Sequence, residues 1–124
     1  MQHEHTEHIE ARPDAVYAAI SDVGNLARYV PQLTAARVAE NDRVKVDARY
    51  HGREQHGEAS FRTDDAQRRI EWRSASGYHG WMAVAPDGDG SRLTLFLSTV
   101  HGSESEHDVA ATLDAIRMLV EAEI

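Results

Sequence analysis

The chain has 124 residues, of which 41% are hydrophobic and 27% charged, a composition that predicts one globular domain over residues 1–124 with a single core. It contains no cysteine, which excludes disulfides, thiolate metal sites and cysteine nucleophiles. Its net charge of −8 opposes contact with a phosphate backbone, so no nucleic-acid partner is expected. No apolar run approaches the roughly 18 residues that a membrane span needs, and no signal peptide is recognisable, so we expect a cytoplasmic protein.

The first part of the chain predicts one strand and two short helices. Residues 3–11 are expected to form a polar strand, and Pro13 suits the first turn before a helix over residues 15–22. A second short helix is predicted over residues 26–30, where a proline follows. Helices of this length are not stable alone, so both are expected to pack against the rest of the domain.

Six further strands are predicted between residue 34 and residue 101. The turns that separate them lie at residues 41–42, 52–55, 64–67, 75–77 and 87–90. The strand over residues 34–40 has no clearly apolar face, which favours a position at the edge of the sheet. The strand over residues 43–51 has an apolar residue at every second position, which predicts one buried face.

The loop lengths also predict which residues lie opposite each other. The inward-facing pairs are Val46 with Phe61, Ala48 with Ala59, Phe61 with Ile70, Ala59 with Trp72, Ile70 with Met82, Trp72 with Gly80, Val84 with Leu93, Met82 with Leu95 and Gly80 with Leu97. Successive residues of a strand point to opposite faces, so this register gives the sheet one apolar face and one mostly polar face. The apolar face needs a cover.

A long helix over Ser105 to Ile124 is the predicted cover. Val109, Leu113, Ile116 and Val120 recur at the spacing of one helical face. At about 1.5 Å per residue the helix is about 28 Å long, enough to cross the sheet. The predicted fold class is therefore α+β, with a seven-stranded curved antiparallel sheet wrapped around the C-terminal helix and two short helices after the first strand.

Several stretches, taken in order, resemble a known superfamily. They are IEARPDAVY at residues 9–17, DVGNLARYVP at 22–31 with Tyr29 where tryptophan is common, RIEWRS at 69–74, GWMAVAP at 80–86 and GSRLT at 90–94. Their order and spacing resemble the START/Bet v 1-like (SRPBCC) superfamily, in particular bacterial polyketide cyclase/dehydrase proteins. The resemblance implies the helix-grip fold. It also implies a cavity between the sheet and the last helix that holds a small hydrophobic or aromatic molecule.

The residues expected to contact such a molecule come from the inward face of the sheet and from the last helix. They are Tyr50, Phe61, Trp72, Tyr78, Met82, Leu95, Leu113 and Ile116. The alternative interpretation is that these side chains only fill a core, and Trp72 can equally be a side chain that covers the gap at Gly80. No cofactor is expected.

Catalytic residues cannot be assigned from the sequence. His5 and Glu7 share a face with Ile9, and Tyr50 or Tyr78 beside them would favour an enzyme. The aromatase/cyclase branch of the superfamily carries a strand rich in tryptophan, serine and arginine. The corresponding stretch here, residues 56–62, has no tryptophan, and the register points its Ser60 and Arg62 outward.

Two further features allow alternative interpretations. His3, His5 and His101 could converge on a metal ion, but we expect them not to meet, and no metal site is predicted. Trp81 lies opposite Phe96 on the outer face, where the pair either stabilises its hairpin or forms a homodimer contact.

Three functions are therefore considered. The first is a protein that binds or carries a small hydrophobic molecule. The second is a polyketide cyclase/dehydratase-like enzyme, and the third is a protein-interaction domain with a filled core.

Overall fold

A computed structural model of the protein describes residues 2–29, 33–40, 42–50, 52–74, 79–98 and 106–122, without the side chains of Tyr50 and of residues 106–109. The elements in chain order are β1 (Gln2–Ile9), α1 (Pro13–Ser21), a 3-10 turn (Val23–Asn25), α2 (Leu26–Tyr29), β2 (Leu33–Val38), β3 (Arg43–Tyr50), β4 (Arg53–Asp64), β5 (Arg69–Ser74), β6 (His79–Asp87), β7 (Gly90–Ser98) and α3 (Glu106–Glu121).

The seven strands form one antiparallel sheet in the order β1-β7-β6-β5-β4-β3-β2. The predicted α+β fold is confirmed, and so is the edge position of β2. The first strand closes the other edge by pairing with β7. Helix α3 packs against β1, β7, α1 and α2, so it covers one half of the concave face.

The register predicted for the last three strands is correct. Ile70 lies opposite Met82, Trp72 opposite Gly80, and Gly80 opposite Leu97. The pairs of Met82 with Leu95 and of Val84 with Leu93 are also observed. For these strands, the register predicted from short glycine-containing loops in the sequence was therefore reliable.

The register predicted for the other two hairpins is wrong. Only two residues separate Tyr50 and Arg53, the last pair of the β3–β4 ladder, and one of the two, Gly52, has a φ of 78°, so Val46 lies opposite Gly57 and not Phe61. In the same ladder Ala48 lies opposite Gln55 and not Ala59. A glycine in the left-handed region allows this two-residue turn, which the prediction had extended to four residues.

The hairpin between β4 and β5 is displaced by a smaller amount. Its turn closes with Arg68 at a φ of 50°, so Phe61 lies opposite Trp72, not Ile70, and Ala59 lies opposite Ser74, not Trp72. Asp64 stabilises this turn by accepting a hydrogen bond from the Gln67 backbone N–H at 3.2 Å. Both displacements are by an even number of residues, so each side chain keeps its predicted face.

A β-bulge in β2 explains why that strand showed no apolar face. Leu33 lies opposite Ala48 and Ala36 opposite Val46, with the irregularity between Leu33 and Ala35. The extra residue, Thr34, hydrogen-bonds through its hydroxyl to the Asp47 carbonyl at 3.2 Å. The inward residues therefore change from odd to even positions within the strand, which simple alternation cannot represent.

The helices are short where predicted and are held by tertiary contacts. Helix α1 begins at Pro13, two residues before the predicted start. In α2, the buried Tyr29 donates a hydrogen bond to the Ile20 carbonyl at 3.0 Å, and burial raises the pKa of its phenol. Val16 and Ile20 of α1 are fully buried in the same hydrophobic core. Within the described residues, no helix is both long and apolar enough to span a membrane.

Candidate functional site on the concave face

The predicted ligand-contacting residues fall into three groups. Phe61, Met82, Leu95, Leu113 and Ile116 are buried in the core, with exposed fractions between 0% and 8%. Trp72 is half-buried against that core. Tyr78 and the side chain of Tyr50 lie outside the described residues. The fold thus brings five of the eight together as packed core.

Trp72 lies directly over Gly80 on the neighbouring strand. A Cβ atom placed on Gly80 would come within 2.6 Å of Trp72 Cζ2 and would also overlap the Phe96 carbonyl oxygen. The interpretation of Trp72 as a cover for the glycine is therefore consistent with the packing. Part of the indole surface nonetheless stays exposed, so Trp72 can contact a ligand while it covers Gly80.

Five apolar residues on the concave face are only half-buried, although their side chains pack against the core. They form a continuous group, here called the half-buried stripe: Leu33, Ala36, Val46, Ala59 and Trp72. Val46 lies opposite Ala36 and diagonal to Leu33 and Ala59, and Ala59 is diagonal to Trp72. The stripe lies on strands other than β1 and β7, on which α3 packs.

Sequence reasoning placed Val46 and Ala59 inward but did not single them out, and it missed Leu33 and Ala36. The bulge at Thr34 hides the last two, because it moves them to the same face despite their odd spacing. The sequence carries no distinct signal for this bulge, because threonine is common in strands and the hydrogen bond from its hydroxyl to the Asp47 carbonyl is visible only in the structure.

Polar residues on the concave face are concentrated on β1. His3 is buried, and His5 and Glu7 are half-buried, as the predicted alternation requires. Glu7 accepts a hydrogen bond from Arg117 Nη1 at 3.0 Å, which ties β1 to α3. Burial, followed by the neighbouring Asp114 carboxylate, raises the pKa of Glu7 although Arg117 opposes the shift.

The acid–base arrangement considered in the sequence combines β1 with two tyrosines and the strand over residues 56–62. Tyr78 and the Tyr50 side chain lie outside the described residues. On β4, Ser60 is half-buried and Arg62 is exposed, and they flank the buried Phe61. Their predicted outward direction is therefore confirmed.

The histidine-rich segments do not assemble a metal site in the described part of the chain. Among those residues no group of three or more histidine and carboxylate side chains is arranged to hold an ion. His101, the third member of the cluster considered above, lies outside them. His3 and His5 stand two residues apart on the same face of β1.

The outer face carries the aromatic pair that the register predicted. Trp81 lies opposite Phe96, and the two rings stack with centroids 5.8 Å apart and planes inclined by 13°. The Arg69 guanidinium lies 4.4 Å from the Trp81 ring centroid, in a cation–π contact. Arg69 thus covers part of the ring surface that a partner would need.

Comparison with known proteins agrees with this architecture. The family model described as polyketide cyclase/dehydrase and lipid transport matches residues 2–122. The chain belongs to this family. Its place in the START/Bet v 1-like superfamily, expected from the sequence, is thereby confirmed. A sequence search of curated proteins returned no match.

Solved structures show the fold that this family member shares. The Zhui aromatase/cyclase from Streptomyces sp. R1128 aligns with a TM-score of 0.84 at 18% identity, over 98% of this chain and 93% of that chain. A START superfamily protein from Mycobacterium smegmatis aligns at 0.83 and 12% identity, over 99% of both chains. TTHA0849 from Thermus thermophilus aligns at 0.80 and 22% identity, also over 99% of both. At these identities the likeness establishes the helix-grip fold alone.

Proposed function

We propose that the protein binds a small hydrophobic or aromatic molecule between the sheet and α3, and that it acts as a binding or carrier protein. The observation that supports this most is the half-buried stripe, in which apolar side chains on the concave face keep exposed surface. Family membership fits the same proposal. The cytoplasmic location remains a prediction of the sequence.

The stripe has the properties of a small-molecule site. Apolar surface left in contact with water costs roughly 25 cal/mol per Å², so a ligand that covers it gains binding free energy. Trp72 supplies a large flat surface with few rotatable bonds, which favours aromatic ligands. Leu33 and Val46 supply aliphatic walls on the neighbouring strands.

Native mass spectrometry of protein purified without added ligand, followed by a thermal-shift screen, tests the proposal. The screen contains aromatic polyketides, flavonoids, fatty acids and sterols. We expect a co-purifying mass or a rise in Tm of several degrees, because binding to the folded state alone raises its stability. The effect should disappear in Trp72→Ala.

Trp81→Ala is the matched control, because it removes the chain's other tryptophan from the opposite face of the sheet. Binding should survive that substitution. A protein that carries no ligand and is stabilised by none of the four compound classes would contradict the proposal. Loss of binding in both tryptophan variants would show that Trp72 acts only through stability.

A polyketide cyclase/dehydratase-like activity is the second candidate. Glu7 favours it, because a concave-face carboxyl with a raised pKa can donate or accept a proton closer to neutral pH than an ordinary glutamate. Glu7→Gln removes that proton but keeps the shape of the side chain. If the protein cyclises a poly-β-ketone, we expect this variant to lose turnover and retain binding.

A third candidate is a protein-interaction domain with a filled core, supported by the complete burial of Ile116 and Leu93. The aromatic pair Trp81 and Phe96 would then provide a homodimer contact. Light scattering over a wide concentration range tests it. A dimer that dissociates in Trp81→Ala would support this candidate, and a monomer at high concentration would exclude the contact.

A further inference from the structure

One polar atom of the concave face is buried without a hydrogen bond. His3 is 9% exposed, and its Nε2 has no partner among the residues that the structure describes. Leaving a buried nitrogen unpaired costs folding free energy, and almost all such atoms in proteins are paired. The unpaired nitrogen therefore leaves a hydrogen-bonding position on an apolar face that none of the described residues fills.

The sheet register places His3 in line with the half-buried stripe. His3 lies opposite Leu97, Leu97 opposite Gly80, and Gly80 opposite Trp72. These four residues form a single row across the concave face. With strands about 4.8 Å apart, the Cα atoms of His3 and Trp72 are separated by roughly 14 Å. The row thus begins at the aromatic member of the stripe and ends at an imidazole.

Between His3 and the Trp72 indole, no side chain of the row offers a hydrogen bond. Leu97 is 5% exposed, and Gly80 is covered by the Trp72 indole. The other polar residues of β1 on this face differ from His3 in hydrogen bonding or in exposure to solvent. Glu7 is paired with Arg117, and His5 is half-buried, so water reaches part of its side chain.

We propose that His3 recognises the polar substituent of the ligand through its Nε2. This inference rests on the proposed binding function and deepens it, because it assigns a ligand class. The ligand is an apolar or aromatic molecule that carries a hydroxyl or carbonyl group at one end. Its apolar body lies against Trp72 and Leu97, and its oxygen satisfies the imidazole nitrogen.

Two matched probes test the inference by calorimetry. 2-Naphthol carries a hydroxyl group, and 2-methylnaphthalene has nearly the same shape without it. We expect wild-type protein to bind 2-naphthol roughly three- to tenfold more tightly, the range of one added hydrogen bond. In His3→Leu the preference for 2-naphthol over 2-methylnaphthalene should disappear.

His5→Leu is the control, because His5 shares the strand and the face but is not enclosed. It should retain the preference for 2-naphthol. A second readout needs no variant that could misfold. In nitrogen-15 NMR spectra of wild-type protein, saturation with 2-naphthol should shift the His3 Nε2 resonance, and 2-methylnaphthalene should leave it unchanged. The apo form of His3→Leu should also melt a few degrees higher, since the unpaired nitrogen is gone.

The outcomes separate the two proposals. If both probes bind but the preference is absent in wild type or survives in His3→Leu, the role of His3 is wrong and the binding function stands. An unchanged Nε2 resonance at saturation leads to the same conclusion. If neither probe binds wild-type protein, binding of two-ring aromatics is excluded and the inference about His3 is overturned with it.

Discussion

The two halves of the concave face differ in what covers them. On β1, β7 and β6, inward side chains such as Leu93 and Met82 are 0% and 2% exposed, because α1 and α3 pack on this side. On β2 to β5, buried side chains such as Val44 and Ile70, 4% and 0% exposed, lie among the half-buried stripe, whose side chains keep contact with solvent. The comparison teaches that the position of the helix decides whether an apolar side chain of the sheet becomes core or binding surface. The alternation of residues along a strand does not indicate that position.

Truncation of the packed half should have the largest effect. Ile116→Ala removes a side chain of α3 that has no exposed surface. We expect it to lower the free energy of unfolding by about 3 kcal/mol, because a cavity remains where the side chain was. Met118→Ala on the same helix is the control, since Met118 is 68% exposed. Urea denaturation that gave similar losses for both would contradict the contrast.

Gly80→Ala should have the next largest effect. The new methyl group would lie 2.6 Å from Trp72 Cζ2 and would overlap a backbone carbonyl that cannot move freely. We expect a loss of about 2 kcal/mol from overpacking, measured by chemical denaturation. Gly57→Ala is the comparison, because its Cβ would meet its nearest neighbour, Val46, at an ordinary distance of 3.7 Å. If Gly57→Ala were the more damaging, the packing around Gly80 would not be tight.

Two valines of β3 compare a core residue with a residue of the half-buried stripe within a single strand. Val44 is 4% exposed and Val46 is half-buried, and both point to the concave face. We expect Val44→Ala to cost about 2 kcal/mol and Val46→Ala less than about 1 kcal/mol. Ligand affinity should change in the opposite order, with the larger loss in Val46→Ala. Equal effects on stability and on binding would remove the distinction between core and stripe.

A pH effect at the end of β1 should be the smallest. Hydrogen bonds from His8 to Asp87 and to Glu10, each at 2.9 Å, raise the pKa of this imidazole above its usual value of 6.5. The protonated form is therefore favoured in the folded state. Its stabilising effect is complete below pH 6.5 and is lost as the pH rises through the raised pKa.

Thermal unfolding from about pH 6 to about pH 8 measures this contribution, in the range where histidine titrates. We expect His8→Gln to flatten the decline of Tm with rising pH. Asp87→Asn should flatten most of it as well, because the bond to Asp87 is the larger cause of the shift. A decline that is unchanged in both variants would assign the pH dependence to other groups.

Much of the fold followed from the sequence because its strands alternate so regularly. The register of β5, β6 and β7 was correct, and the two wrong registers were displaced by even numbers of residues. An even displacement keeps every side chain on its face, so Phe61 and Trp72 were assigned inward despite wrong partners. Turn length was the weak point, since Gly52 permits a shorter turn than four polar residues suggest.

The site was less predictable for a physical reason. Burial depends on where the helices lie on the sheet, and a residue's own strand does not report that. Val44 and Val46 look equivalent in the sequence but differ in exposure. The pairing of Glu7 with Arg117 joins residues 110 positions apart, and the bulge at Thr34 conceals Leu33 and Ala36. None of these follows from local alternation.

The contact between Trp72 and Gly80 has a consequence for redesigning the ligand. Any residue with a Cβ at position 80 would run into the Phe96 carbonyl, so glycine must stay there whatever side chain stands at position 72. Of these two positions, only position 72 can therefore be changed to adjust the volume above this row. A smaller side chain there would leave room for a larger ligand without any change to the backbone of β6.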